Sequence, residues 1–123
     1  MSVPLLVVDG ANVVGSVPDG WWRDRAGAAI RLRDRLIAMS PAGLADLAGP
    51  LEVVLVVEGK ARDIPEIPGV RLVRALGSGD DAIVEVVAAA PDREVVVVTA
   101  DRELRRRVTA LGAGVRGPSS IPR

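Results

Sequence analysis

The chain has no cysteine, no histidine, no tyrosine and no phenylalanine, and two tryptophans, Trp21 and Trp22, are its only aromatic residues. Without Cys or His there is no thiol nucleophile, no disulfide, no zinc site of the Cys/His type and no imidazole acid or base. Any chemistry therefore runs on carboxylates, amides, hydroxyls, guanidinium groups and metal ions. An excess of either charge is also missing: 16 Lys+Arg stand against 16 Asp+Glu, for a formal net charge of +0. Attraction to a polyanion has to come from local clustering. Every basic residue except Lys60 is arginine, which alongside so much Ala, Gly and Val reads as GC-rich codon usage rather than a phosphate-binding set. No apolar run approaches the roughly 20 residues of a membrane span. No basic segment precedes the short apolar run in the first eight residues, so the expected location is cytoplasmic.

With 123 residues, 49% of them hydrophobic and 26% charged, the chain is expected to form one compact domain over residues 1–117, followed by a loose tail at 118–123. Four continuous apolar runs, rich in β-branched residues, read as strands buried on both faces. They are 5–8, closed by Asp9-Gly10; 51–57, closed by Glu58-Gly59; 70–75, closed by Leu76-Gly77-Ser78-Gly79; and 95–98, closed by Thr99-Ala100-Asp101. Val115 marks a fifth. Between them, Ala26, Ala29, Ile30, Leu36 and Ile37 recur at helical spacing amid Arg and Asp, which predicts an amphipathic helix. Residues 82–90 predict a more apolar helix stopped by Pro91, and Leu104, Val108 and Leu111 line one face of a third that Gly112 can end. The segments 41–50 and 62–69, rich in Pro and Gly, read as surface connections. The alternation implies a three-layer α/β fold: an open parallel sheet of four to five strands, expected order 3-2-1-4-5, with helices on both faces.

Ligands of such sheets bind beyond the carboxyl ends of the strands, and acids stand at those ends: Asp9, Glu58, Asp80 with Asp81, and Asp101. Each has an ordinary explanation, as turn residue, helix cap or part of a capping box spanning 78–81. Together they form a repulsive rim that a counter-charge relieves. With oxygen ligands only, that counter-charge is Mg²⁺ or Mn²⁺.

Three blocks, Val7-Val8-Asp9-Gly10-Ala11-Asn12-Val13-Val14, Gly79-Asp80-Asp81-Ala82-Ile83 and Val97-Val98-Thr99-Ala100-Asp101-Arg102-Glu103-Leu104, resemble those of NYN domains of the YacP-like branch, within the PIN-like nuclease superfamily. They span nearly the whole chain, and their order and strand-end context make the match more specific than any one block. The resemblance implies the fold just described and a metal-dependent ribonuclease. The catalytic set it implies is Asp9, Asn12, Asp81 and Asp101, with Asp9, Asp80, Asp81 and Asp101 as metal ligands. Asn12 then orients Asp9, binds a metal-held water or touches phosphate; otherwise it is a left-handed turn residue. Some relatives carry a further acid one helical turn after Asp101, where this chain has Arg105. Glu58 is either an outer ligand or part of a turn. Metal-activated water needs no side-chain base near neutrality, so the lack of histidine fits.

RNA is the partner this resemblance implies. Arg102, Arg105 and Arg106 share a helical face from which they can grip phosphate, or simply form a solvated surface. Ser78, in the permissive Gly77-Ser78-Gly79 turn, can approach phosphate, but the turn lacks a P-loop ending, so no nucleotide cofactor is expected. Trp22 is positioned to stack a base while Trp21 or Trp22 fills the gap under the first helix, and Arg23 and Arg25 flank them. A phosphoacceptor receiver and a dinucleotide-binding domain both fail for want of their defining residues. The alternative is a non-catalytic PIN-like module that binds RNA or protein; a dimerising structural domain is the third reading.

Overall fold

The computed structural model describes residues 3–122. Runs of Val and Leu with no polar position to turn toward water become strands covered on both faces. The first, β1 (Leu5–Asp9), is buried at every residue and passes directly into a short helix, α1 (Gly10–Gly15). Gly10 makes this possible, because a Cβ there would lie 2.5 Å from the Val56 carbonyl oxygen of the neighbouring strand. Then follow α2 (Arg25–Leu36), α3 (Met39–Ala42), a two-stranded antiparallel ribbon of β2 (Gly43–Leu44) and β3 (Leu47–Ala48), and β4 (Glu52–Val57). The chain continues through β5 (Arg71–Arg74), α4 (Gly79–Ala88), β6 (Val95–Val98), α5 (Arg102–Thr109) and β7 (Gly114–Arg116).

The main sheet is parallel throughout, in the order β5-β4-β1-β6-β7. Counting only its own strands, that is the expected 3-2-1-4-5. The chain leaves β1 on the side of β4 and β5, then crosses back through α4 to place β6 against the other edge of β1. The crevice beyond the carboxyl ends of β1 and β6 is thus the switch point where α/β sheets of this kind bind ligands.

Alternating strand residues feed two cores. Leu6, Val8, Leu55, Val57, Val96 and Val98 pack with Val13 of α1 and Ala29, Leu32 and Leu36 of α2. Leu5, Val7, Val54, Val56, Val95 and Val97 pack with Ile83 and Val87 of α4 and Leu104 and Val108 of α5. Among the described residues no helix is long and apolar enough to cross a membrane.

Some expectations need correcting. Ile37 and Leu111 lie beyond the ends of their helices and are exposed. The 41–50 segment is more than a surface connection: its ribbon buries Leu44 and Leu47 in the α2-side core, and Ile64 of the 62–69 segment joins them. The tail is also seated. Pro118–Ser120 forms a 3₁₀ turn, and Ile121, only 4% exposed, enters the α2-side core. Its apolar surface has nowhere else to go in a chain with so few large side chains. Ile121→Ala is therefore expected to cost about 2–3 kcal/mol, seen as a melting temperature several degrees lower; an unchanged melt would show that the tail contributes nothing.

Candidate functional site

Asp9 ends β1 and caps α1, and its side chain is 5% exposed. Its Oδ2 accepts a hydrogen bond from the Thr99 hydroxyl at 2.8 Å, and its Oδ1 a longer one, 3.4 Å, from the Asn12 backbone N–H. The same Thr99 oxygen accepts from the Asp101 N–H at 3.1 Å. Thr99 is fully buried, so its hydroxyl joins the ends of the two central strands. Asn12 does not hold Asp9 through its side chain. Its Oδ1 instead accepts from the Ala100 N–H at 2.8 Å, tying α1 to the turn after β6. Among the described residues no non-glycine has a positive φ, so Asn12 is helical and the left-handed alternative is excluded.

Asp101 caps α5 by accepting from the Leu104 N–H at 2.9 Å. Glu58, immediately after β4, reaches across to α4, where it accepts from the Gly79 N–H at 2.8 Å. The chain turns away behind it at Gly59, with φ +57. Asp80, in the first turn of α4, faces this group. Its carboxyl is pushed up by burial, then by the charges of Asp101 and Glu58 and, least, of Asp81, with Arg107 acting in the opposite direction. Burial likewise raises Asp9, from 3.8 to about 6; the hydrogen bonds from Thr99 and Asn12 oppose the shift, while Asp80 and Glu58 add to it. Asp9, Glu58, Asp80 and Asp101 are therefore one electrostatic group.

Asp81 adds the least to the field at Asp80 and faces outward. Its exposed carboxylate pairs with Arg107 at 3.0 Å. Of the two adjacent acids, the structure brings Asp80 into the group and turns Asp81 outward, opposite to the emphasis placed on Asp81 above. Ser78 caps α4, its Oγ 3.3 Å from the Asp81 N–H.

The arginine face divides. Arg105 is half-buried, and its Nε donates to the Thr99 carbonyl at 2.7 Å, so it braces the end of β6 rather than facing outward for phosphate. Arg106 pairs with Glu103 in solvent, which raises the one and lowers the other. Arg102 is exposed and, among the described residues, has no ion-pair partner. Trp22 is 53% exposed and meets Trp21 edge to face, centroids 5.9 Å apart. Trp21 is half-buried at the edge of a cavity of about 380 Å³ that also touches Glu58.

No family model and no curated protein matches the sequence. Solved structures do match in three dimensions. A crystal structure of Rae1 (YacP) from Bacillus subtilis superposes with a TM-score of 0.75, covering 98% of this chain and 71% of that one, at 17% identity. The chain has the YacP fold. A tryptophan-to-leucine mutant of the same YacP protein superposes with a TM-score of 0.69, covering 95% and 70% of the two chains at 16% identity. Within this α/β fold the three sequence blocks fall on β1–α1, the start of α4 and β6–α5. All three border the switch point.

Thr99 is the residue that sequence reasoning missed. A lone hydroxyl closing an all-valine strand, two residues before a capping Asp, was the available signal for Thr99. As for a metal, the donors are all oxygen and the most buried of them has acids for its charged neighbours. That suits a hard cation held by one or two carboxylates and water. Among the described residues no group of three or more acids stands close enough together to hold a metal ion.

Proposed function

We propose that the chain is a metal-dependent ribonuclease whose site is the acidic rim of Asp9, Glu58, Asp80 and Asp101. The observation that carries this reading is a buried carboxylate, Asp9, held by Thr99 at the switch point of a YacP-like sheet and surrounded by other acids. The reaction is hydrolysis of an RNA phosphodiester: water adds to phosphorus in line with the leaving oxygen, and the P–O bond opposite breaks. When bound, Mg²⁺ or Mn²⁺ supplies a water of lowered pKa and neutralises charge on phosphorus. Asp9 and Asp80 would hold the cation, with Asp101 and Glu58 beside them. Thr99 fixes the Asp9 carboxylate, and Asn12 keeps α1 and the turn after β6 in register. Above pH 6 Asp9 is mostly ionised, the form a ligand needs. Arg102 and Trp22, exposed nearby along the chain, are left to meet the RNA.

A second reading has its own support. Arg105 occupies the place of a further acid and is engaged with Thr99, which favours a PIN-like module that binds RNA without cutting it.

One assay separates the two: cleavage of labelled single-stranded RNA in Mn²⁺, Mg²⁺ or EDTA by wild type, Asp9→Asn, Asp80→Asn and Asp81→Asn proteins purified identically. The expected result is metal-dependent cleavage that Asp9→Asn abolishes and Asp80→Asn lowers at least tenfold, with Asp81→Asn within about twofold of wild type. Equal cleavage by wild type and Asp9→Asn would put the binding module ahead.

A further inference from the structure

Beside the acidic rim lies the cavity that Trp21 and Glu58 border. Its floor is apolar and includes Val57 and Ala29, and Gly10, the residue after Asp9, is part of its wall. Arg25 and Lys60 are the basic residues of the lining, and both are exposed. Neither has an ion-pair partner among the described residues, where six other basic side chains do. The Arg25 guanidinium lies over the Trp21 ring, 5.3 Å from its centroid, so an indole and a cation stand together at the cavity. The chain's single lysine stands at the same cavity.

A ligand for this space has to be flat and apolar over one part and anionic over another. At about 380 Å³ the cavity falls within the range of small-molecule sites. An acidic peptide satisfies the two cations but leaves the aromatic wall without a partner. An uncharged aromatic does the reverse. A nucleotide satisfies both, since bases stack on indole and guanidinium planes and phosphates pair with Lys and Arg.

We infer that this cavity is a nucleotide subsite, which takes the base of an RNA residue next to the scissile phosphate along Trp21 and Arg25 and its phosphate at Lys60 and Arg25. Glu58 belongs to the cavity and to the acidic rim alike, so a strand seated here delivers its next phosphate to the acids. Stacking on an indole is tolerant of base identity, so the subsite sets the register of the strand more than its sequence. The inference rests on the ribonuclease reading for its place in the reaction, but its binding step needs neither metal nor turnover.

The test titrates the full chain in EDTA with AMP, with inorganic phosphate and with a short single-stranded RNA, following tryptophan fluorescence, and repeats the titration on Lys60→Ala, Arg25→Ala and Trp21→Leu. Lys60 and Arg25 are exposed, so their variants keep the fold even if Trp21→Leu does not. AMP and RNA are expected to quench saturably. Lys60→Ala should weaken binding roughly fivefold, and loss of the Trp21 wall roughly 5- to 100-fold. RNA cleavage without quenching, or with quenching indifferent to Lys60 and Arg25, would overturn the subsite and leave the ribonuclease standing. Quenching that depends on Lys60, with no cleavage, would keep the subsite and remove the ribonuclease. Phosphate binding as well as AMP would show an anion site without a base and overturn the inference, as would a hexaglutamate peptide that binds where AMP does not.

Discussion

At pH 7.5 the Asp9→Asn protein is expected to melt above the wild type, although it has lost the residue that its proposed activity depends on most. The cause is the burial that raises the Asp9 pKa from 3.8 to about 6. A carboxyl that binds its proton more tightly in the folded state makes folding less favourable as pH rises from 3.8 to 6, because over that range the folded chain holds the proton that the unfolded chain has released. Below 3.8 both states are protonated and nothing is lost. Above 6 the full penalty applies, about 3 kcal/mol. Asparagine has no such ionisation and keeps an oxygen for the Thr99 hydroxyl. The variant should therefore gain about 1–3 kcal/mol at pH 7.5, and the advantage should fade toward pH 4. Thermal melts at both pH values check this. A variant less stable than wild type at pH 7.5 would mean that Asp9 is not the strained group its burial implies. Saturating Mg²⁺ should raise the wild-type melt and leave that of Asp9→Asn unchanged, since ligand binding stabilises only the state that binds.

Replacing Thr99 with valine should do the opposite. The side chain keeps its shape in a fully buried position, but two hydrogen bonds disappear: the one donated to Asp9 Oδ2 and the one accepted from the Asp101 N–H. Hydrogen bonds to charged groups contribute about 1.5–3 kcal/mol, and a buried partner left unsatisfied costs more than the bond was worth. The expected loss is about 2–4 kcal/mol at pH 7.5. The hydrogen bond from Thr99 also holds the Asp9 pKa down, so without it Asp9 titrates above 6, and the acid limb of any cleavage profile moves to higher pH. Thr99→Ser restores the hydroxyl and should restore the limb. A profile that stays put in Thr99→Val, with only stability lost, would make Thr99 a packing residue and nothing more.

The parts of the site that could be read from the chain are those set by local chemistry. Each apolar run has no solvent face and so becomes a buried strand, and an acid directly after such a run falls at the strand's carboxyl end wherever the strand sits. Asp9, Glu58 and Asp101 were legible for that reason. So was the parallel sheet, through the alternation of strand and helix, whereas the strand order was assumed and agrees with the structure. The choice between Asp80 and Asp81 was not. Successive helical residues point about 100° apart, and only the packing of α4 against the sheet, with Arg107 reaching from α5, decides which carboxylate joins Asp9. Arg105 was read as a surface group because its helical face is polar, but its partner, the Thr99 carbonyl, is a backbone atom that no sequence pattern marks. The 3₁₀ turn at Pro118–Ser120 looked like an end, yet Ile121 fills a place in the core left by distant segments. Lys60, Trp21 and Arg25 meet around one cavity only because β4 and α2 pack side by side.

The sequence by itself determined the strands, the class of the fold and the rim on which acids collect, because hydrophobic periodicity and chain termination act within a few residues. Tertiary structure alone decided which acids share a field, which arginines remain free and where a cavity opens, because these depend on groups far apart in the chain that packing brings within a few ångströms.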